Sequence, residues 1–201
     1  MTVIELPFRF KGNRDYIHGP DIYNDVVREI RSLHTIDSIE LIRIKMKRMG
    51  RKQCQLIVGD IGGKLKIPSD ALAEIFVRTP SGDLSAYLLE TDARITRRQD
   101  YDEDGMQALC RMEGNTVSID GSPAYSPVEV AVAMTKMLHQ RLFPDPKGKW
   151  IVTQFELSGI FDAEDSSRLV VQLLHNFHNA LTKSALRVGG AERGHIYFSL
   201  V

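Results

Sequence analysis

With 201 residues, 43% of them hydrophobic and 26% charged, the chain can bury a core of ordinary size in one large domain or two small ones. Its 26 Lys and Arg residues balance 26 Asp and Glu, so no overall basic field exists to gather nucleic acid or an anionic membrane surface. Glu5 and Arg9 interrupt the first ten residues where a signal-peptide core would lie, and no apolar run approaches the roughly 20 residues of a membrane span, so a soluble cytoplasmic protein is expected.

Residues 3–10, VIELPFRF, predict a strand, with Pro7 marking an edge or a bulge. The polar turn RDYIHGPDIY (14–23) follows. Pro20 then opens an amphipathic helix: Ile22, Tyr23, Val26, Val27, Ile30 and Leu33 recur at spacings of three and four. SIELIRIKMKR (38–48) and KQCQLIVGD (52–60) alternate as strands do, clearest at Ile42, Ile44 and Met46 and at Cys54, Leu56 and Val58. The basic residues from Arg43 to Lys52 read as a solvated strand-turn face rather than a binding patch. AEIFVRT (73–79) and LSAYLLET (84–91) flank Pro80-Ser81-Gly82-Asp83, a hairpin signal.

DYDEDG (100–105) opens like a calcium-binding loop, but Arg111 stands where its final glutamate should be; the stretch 97–106 reads as an acidic linker. NTVSI (115–119) predicts a strand, and a second polar turn, DGSPAYSPVE (120–129), follows it. Ser126 and Glu129 have the spacing of a capping box, with Pro127 at the first helical position. Val128 to Leu142 is apolar almost all round, so this helix must be buried. Pro144 and Pro146 are expected to stop it. KWIVTQFELSGIF (149–161), SRLVVQLLHN (167–176), ALTKSALRV (180–188) and GHIYFSLV (194–201) then read as four strands, with Gly189-Gly190 turning the last pair. Cys54 and Cys110 sit among apolar neighbours and suit reduced, buried thiols better than a disulfide. His175 and His178 lack a nearby third ligand, so no metal is expected there.

The order is the same twice: strand, turn with proline, helix, four strands. We therefore expect a first repeat over 1–96, the linker, and a second repeat over 107–201. A sheet that follows so apolar a helix has to curl around it, so that each covers the other's apolar face. That order resembles the hotdog fold, and two copies resemble a double hotdog, an α+β arrangement of antiparallel sheets wrapped around central helices. The resemblance covers nearly the whole chain and rests on element order and helix burial.

The resemblance implies an acyl thioester of coenzyme A or acyl carrier protein as partner, with a thioesterase-like hydrolase as the leading function. Catalytic groups of such proteins lie in the loop before the helix, here RDYIHGPDIY. By that likeness Asp15 would be the nucleophile or the base that activates water, His18 would polarise or deprotonate, and the Gly19 N–H at the helix start would hold the oxyanion. Tyr16 and Tyr125 would contact substrate. The Asn-Asn that often follows in such thioesterases is replaced by Pro20-Asp21. A dehydratase-like enzyme is the alternative, pairing His18 with Glu129; Arg9 in FRFKGN (8–13) stands where that class carries its loop histidine. A non-catalytic acyl-binding or assembly module is the third reading. The second loop offers Asp120 and Tyr125 but no histidine. No P-loop, G-x-G-x-x-G, G-x-S-x-G or Cys-His-Asp set occurs, so no cofactor is expected. No nucleic acid and no membrane insertion are expected, and self-association into a homo-oligomer is.

Overall fold

A computed structural model describes residues 1–34, 38–144 and 147–201. The chain divides into two compact units, Met1–Tyr101 and Asp102–Val201.

The first unit contains β1 (Thr2–Leu6), β2 (Phe10–Lys11), α1 (Gly19–His34), β3 (Leu41–Met46), β4 (Lys52–Val58), β5 (Ala73–Thr79), β6 (Gly82–Arg94) and β7 (Arg98–Gln99). Five of its strands pair antiparallel in the order β1-β4-β6-β5-β3. Alternation explains their one-sidedness. In β3, Ile42 and Ile44 are fully buried, while Arg43 and Lys45 between and after them are exposed. The predicted strand at 3–10 is broken: β1 ends before Pro7, which has no N–H to give the ladder. Phe10–Lys11 resumes as a short strand parallel to β7, which occupies part of the stretch read as linker. Helix α1 buries Ile22, Tyr23, Val26, Val27 and Ile30, the stripe its sequence period requires.

The second unit contains α2 (Glu103–Ala108), β8 (Cys110–Glu113), β9 (Thr116–Ile119), α3 (Pro127–Leu142), β10 (Trp150–Leu157), a 3-10 turn at Ala163–Arg168, β11 (Leu169–Phe177), β12 (Leu181–Val188) and β13 (Ala191–Leu200). Its strands are antiparallel in the order β8-β9-β11-β12-β13-β10. Helix α3 packs on β9, β10, β11 and α2. Ser126 caps it as expected, with the reciprocal Glu129 bond in place. Pro144 follows its C-cap Phe143; Pro146 lies outside the described residues. The acidic DYDEDG stretch has a local use. Asp102 caps α2 by accepting from the Gly105 N–H at 2.8 Å, and a Cβ at Gly105 would meet that carboxylate at 2.1 Å.

The five-stranded sheet of the first unit has one strand, β1, before its helix and four after it, and the six-stranded sheet of the second has two, β8 and β9, before α3 and four after it. In the second, β11, β12 and β13 are neighbours in sequence order. Their connections are tight turns in which His178, Asn179, Gly189 and Gly190 all take positive φ, so each strand folds straight back on the last. In the first, residues 59–72 join β4 to β5, a link long enough to leave room for β6 to enter between them. Among the described residues no helix is long and apolar enough to cross a membrane. Cys54 is fully buried, and burial first, then the charge of Glu90, pushes its thiol up to about 12; burial also raises Cys110.

His139, in the last turn of α3, is 1% exposed and stacks on Trp150 with ring centroids 4.5 Å apart. Burial pushes its pKa down to about 4 from the usual 6.5. An unfolded chain therefore binds this proton near pH 6.5, and the folded one only near pH 4. The contribution to stability is complete above the unfolded value and is lost as pH falls through the window between them. Urea denaturation should show roughly 2 kcal/mol less stability at pH 5 than at pH 7. His139→Phe should flatten that slope above the carboxylate range; an equally steep slope in the variant would assign it to another group.

Candidate functional site

The loop between β2 and α1 is the richest in chemistry, and bonds from two distant segments, β7 and Gly50, hold it. The Arg98 guanidinium donates to the carbonyl of Gly12 and, at 2.8 Å, to that of Arg14. The Gly12 N–H donates to the Gln99 carbonyl at 2.9 Å, and Gly12 takes φ +54, a left-handed turn that glycine adopts without strain. The Ile17 N–H donates to the Gly50 carbonyl at 2.8 Å. Packing is close at Gly50: a Cβ there would lie 2.7 Å from Leu72 Cδ2 and 2.9 Å from Ile17 Cδ1, so a larger residue would push those side-chain ends aside.

Gly50 is in turn fixed by Glu90. One carboxylate oxygen accepts from the Arg51 N–H at 2.5 Å and the Lys52 N–H at 2.9 Å, and the other from the Arg48 guanidinium. Burial by itself would raise the Glu90 pKa. The Arg48 bond and the two backbone N–H groups outweigh it and hold the carboxyl below its usual value.

This framing decides which loop residues face inward. His18 is 3% exposed and stands at the N-cap of α1, where its carbonyl accepts from the N–H groups of Asp21 (2.9 Å) and Ile22 (3.3 Å). Its ring meets Tyr101 edge-on at 5.0 Å. Lys11 and Arg14 flank that tyrosine, with charge centres 5.4 Å and 4.9 Å from the ring. Lys11 is 8% exposed and pairs with Asp21 at 2.7 Å. An Asp21 carboxylate oxygen and a His18 ring nitrogen lie within 4.8 Å of each other. Tyr16 is buried, and Gly19 is the first residue of the helix. Asp15 takes the opposite side. Its carboxylate is exposed and lies 3.4 Å from Arg51, itself exposed.

Of the residues expected in the second unit, Tyr125 is half-buried; its hydroxyl accepts from the Asp102 N–H at 3.1 Å and its carbonyl from the Ser166 hydroxyl at 3.1 Å. Glu129 is buried, and its Oε2 accepts from the Ser126 N–H at 3.0 Å and the Ser126 hydroxyl at 2.8 Å. His178 serves the β11–β12 turn.

Sequence reasoning missed Lys11, Asp21 and Tyr101. Asp21 carried a usable signal, an acidic residue in the first turn after Pro20. Lys11 and Tyr101 carried none, because their roles depend on the β2–β7 pairing. Chemically, the loop offers an enclosed imidazole beside a carboxylate, at the positive end of a helix dipole.

No protein-family model matches the chain, and no curated protein matches it in sequence. Solved structures do. A provisionally assigned thioesterase II from Thermobifida fusca superposes with a TM-score of 0.53 at 12% identity, over 99% of this chain and 91% of that one. A provisionally assigned thioesterase from Novosphingobium aromaticivorans gives 0.50 at 8% identity, over 99% and 94%. The fold shared with these two structures is the hotdog fold, a mainly antiparallel sheet with a helix.

If Glu90 holds the loop through Gly50, Glu90→Gln should cost about 1 kcal/mol in chemical denaturation, the bond being partly open to solvent. It should also speed hydrogen exchange at the Ile17 amide. Unchanged protection at Ile17 would show that the loop is held without Glu90.

Proposed function

We propose that the chain is a double hotdog that hydrolyses acyl thioesters of coenzyme A or acyl carrier protein in the cytoplasm, with His18 as its central group. The observation that carries this reading is the enclosed His18 imidazole at the start of α1, with the Asp21 carboxylate within reach. Similarity in fold to two provisionally assigned thioesterases supports the substrate class.

In this reading His18 takes a proton from water as the water adds to the thioester carbonyl. The oxygen turns negative, and the Gly19 N–H and the α1 dipole stabilise it. The carbon–sulfur bond then breaks, and the thiolate recovers the proton from His18. Asp21, screened by Lys11, stabilises the imidazolium while it exists. Buried Tyr16 would flank the acyl group. Asp15 is the weaker candidate for base or nucleophile. A carboxylate in water beside a guanidinium is well solvated, so little drives it to attack. Glu129 spends acceptor capacity on Ser126, which weighs against the dehydratase pairing of His18 with Glu129.

The test is hydrolysis of acyl-CoA and carrier-bound thioesters of short to long chain by wild type, His18→Ala, Asp15→Asn and Glu129→Gln. His18→Ala should lower kcat/KM by about 100-fold or more, and Asp15→Asn should retain most of it. Collapse in Asp15→Asn alone would move the chemistry to Asp15. Absence of hydrolysis on every thioester, with dehydration of 3-hydroxyacyl thioesters lost in Glu129→Gln, would replace the hydrolase with a dehydratase.

A further inference from the structure

The first unit gathers arginine at one end of its sheet. Arg9 and Arg97 meet where the Phe10 N–H donates to the Arg97 carbonyl at 3.1 Å, and Arg94 ends β6 opposite Lys52 of β4. The Arg98 guanidinium lies over the Phe10 ring at 5.5 Å, so strand alternation turns Arg9 and Arg97 to the other face of the β2–β7 pair. Arg94 and Arg97 are three residues apart, which puts their Cα atoms at most roughly 10 Å from each other.

The acids around this end are already matched to other cations. Asp15 pairs with Arg51 at 3.4 Å, Asp92 with Lys52 at 3.5 Å and Glu90 with Arg48. Asp100, two residues past Arg98, forms no ion pair among the described residues. Arg9, Arg94 and Arg97 are exposed, and among the described residues their side chains have no ion pair, hydrogen bond or ring contact. Three like charges so placed repel, and an anion from outside relieves that repulsion. Their neighbour Arg98 holds the Gly12 and Arg14 carbonyls, so the patch borders the loop that carries His18.

Charge and spacing select the kind of anion. The balanced charge of the chain gives no long-range field for nucleic acid. A spread of roughly 10 Å over exposed side chains suits carboxylates one or two turns apart on a helix, at about 5.4 Å per turn, better than a single phosphate group. We propose that this patch docks the acidic helical face of an acyl carrier protein, so that carrier-bound thioesters are preferred over those of coenzyme A. The preference rests on the thioester reading above; the docking itself is measurable without hydrolysis.

We would follow binding of an unloaded, acidic acyl carrier protein to the ¹⁵N-labelled full chain, and hydrolysis of carrier-bound and coenzyme A thioesters. Two variants accompany wild type: Arg9→Gln/Arg94→Gln/Arg97→Gln, and Lys45→Gln/Lys64→Gln/Lys66→Gln, which removes the same charge from exposed positions elsewhere on the unit. The carrier should shift the amides of Arg94 to Arg98. At low ionic strength the arginine variant should weaken binding about 10-fold and raise KM for the carrier-bound thioester by a similar factor, with kcat unchanged. The lysine variant, and coenzyme A thioesters with either variant, should stay near wild type. Any of three results would overturn the proposal: no binding of the unloaded carrier to wild type, equal weakening in the lysine variant (net charge only), or an equal rise in KM for coenzyme A thioesters (the arginines read its phosphates). Hydrolysis of no thioester would sink the proposed activity, while the binding measurement would still decide the docking.

Discussion

Helix α3 buries eleven of its sixteen residues, from Pro127 to His139, and so apolar a helix persists in water only if protein covers nearly every side of it. The rest of the second unit follows from that demand. Strands β9, β10 and β11 supply one cover and α2 another. Burying the helix start also strands its first N–H groups away from water, and the Ser126–Glu129 capping box answers that need. Glu129 is therefore accounted for by folding before any chemistry is asked of it. The same demand sets the far end. A helix buried through its last turn takes His139 into the core, where only the neutral ring is tolerated.

Much of this could be read beforehand, because it is local or periodic. Helix starts at Pro20 and Pro127, the Ser126 cap and the alternation in β3 and β4 are written in neighbouring residues. The order of strands within a sheet is not. Residues 52–79 alternate equally well whether β5 lies beside β4 or two places away; the decision rests on the path of residues 59–72, which no period describes. The two-residue pairing of β2 with β7 likewise has no pattern to show, and α2 is short enough that its cap, Asp102, reads as one more acid in a run of them.

The candidate site divides along the same line. Its loop was recognisable from turn-forming residues before a proline. Which of Asp15 and His18 faces inward was not, because they are three residues apart on an irregular stretch. Their orientation is imposed from Arg98, Gly50 and, through Gly50, Glu90. Those bonds span from 33 to 86 positions of sequence, and the chemistry of the loop is consequently a property of the whole first unit.

The two units also treat buried polarity differently. The first encloses charge in compensated form, Lys11 against Asp21 at 2.7 Å, beside an imidazole at the start of its helix. A compensated pair tolerates a proton moving among its members, since the neighbours can absorb the change in charge. The second closes the start of its helix with a capping box and places an uncharged imidazole at the other end, with no acid paired to it among the described residues. Protonating that ring costs its full burial, so it can donate a hydrogen bond but is poorly suited to carry a proton near neutral pH. Burial thus encloses a compensated charge pair in the first unit and a neutral imidazole in the second.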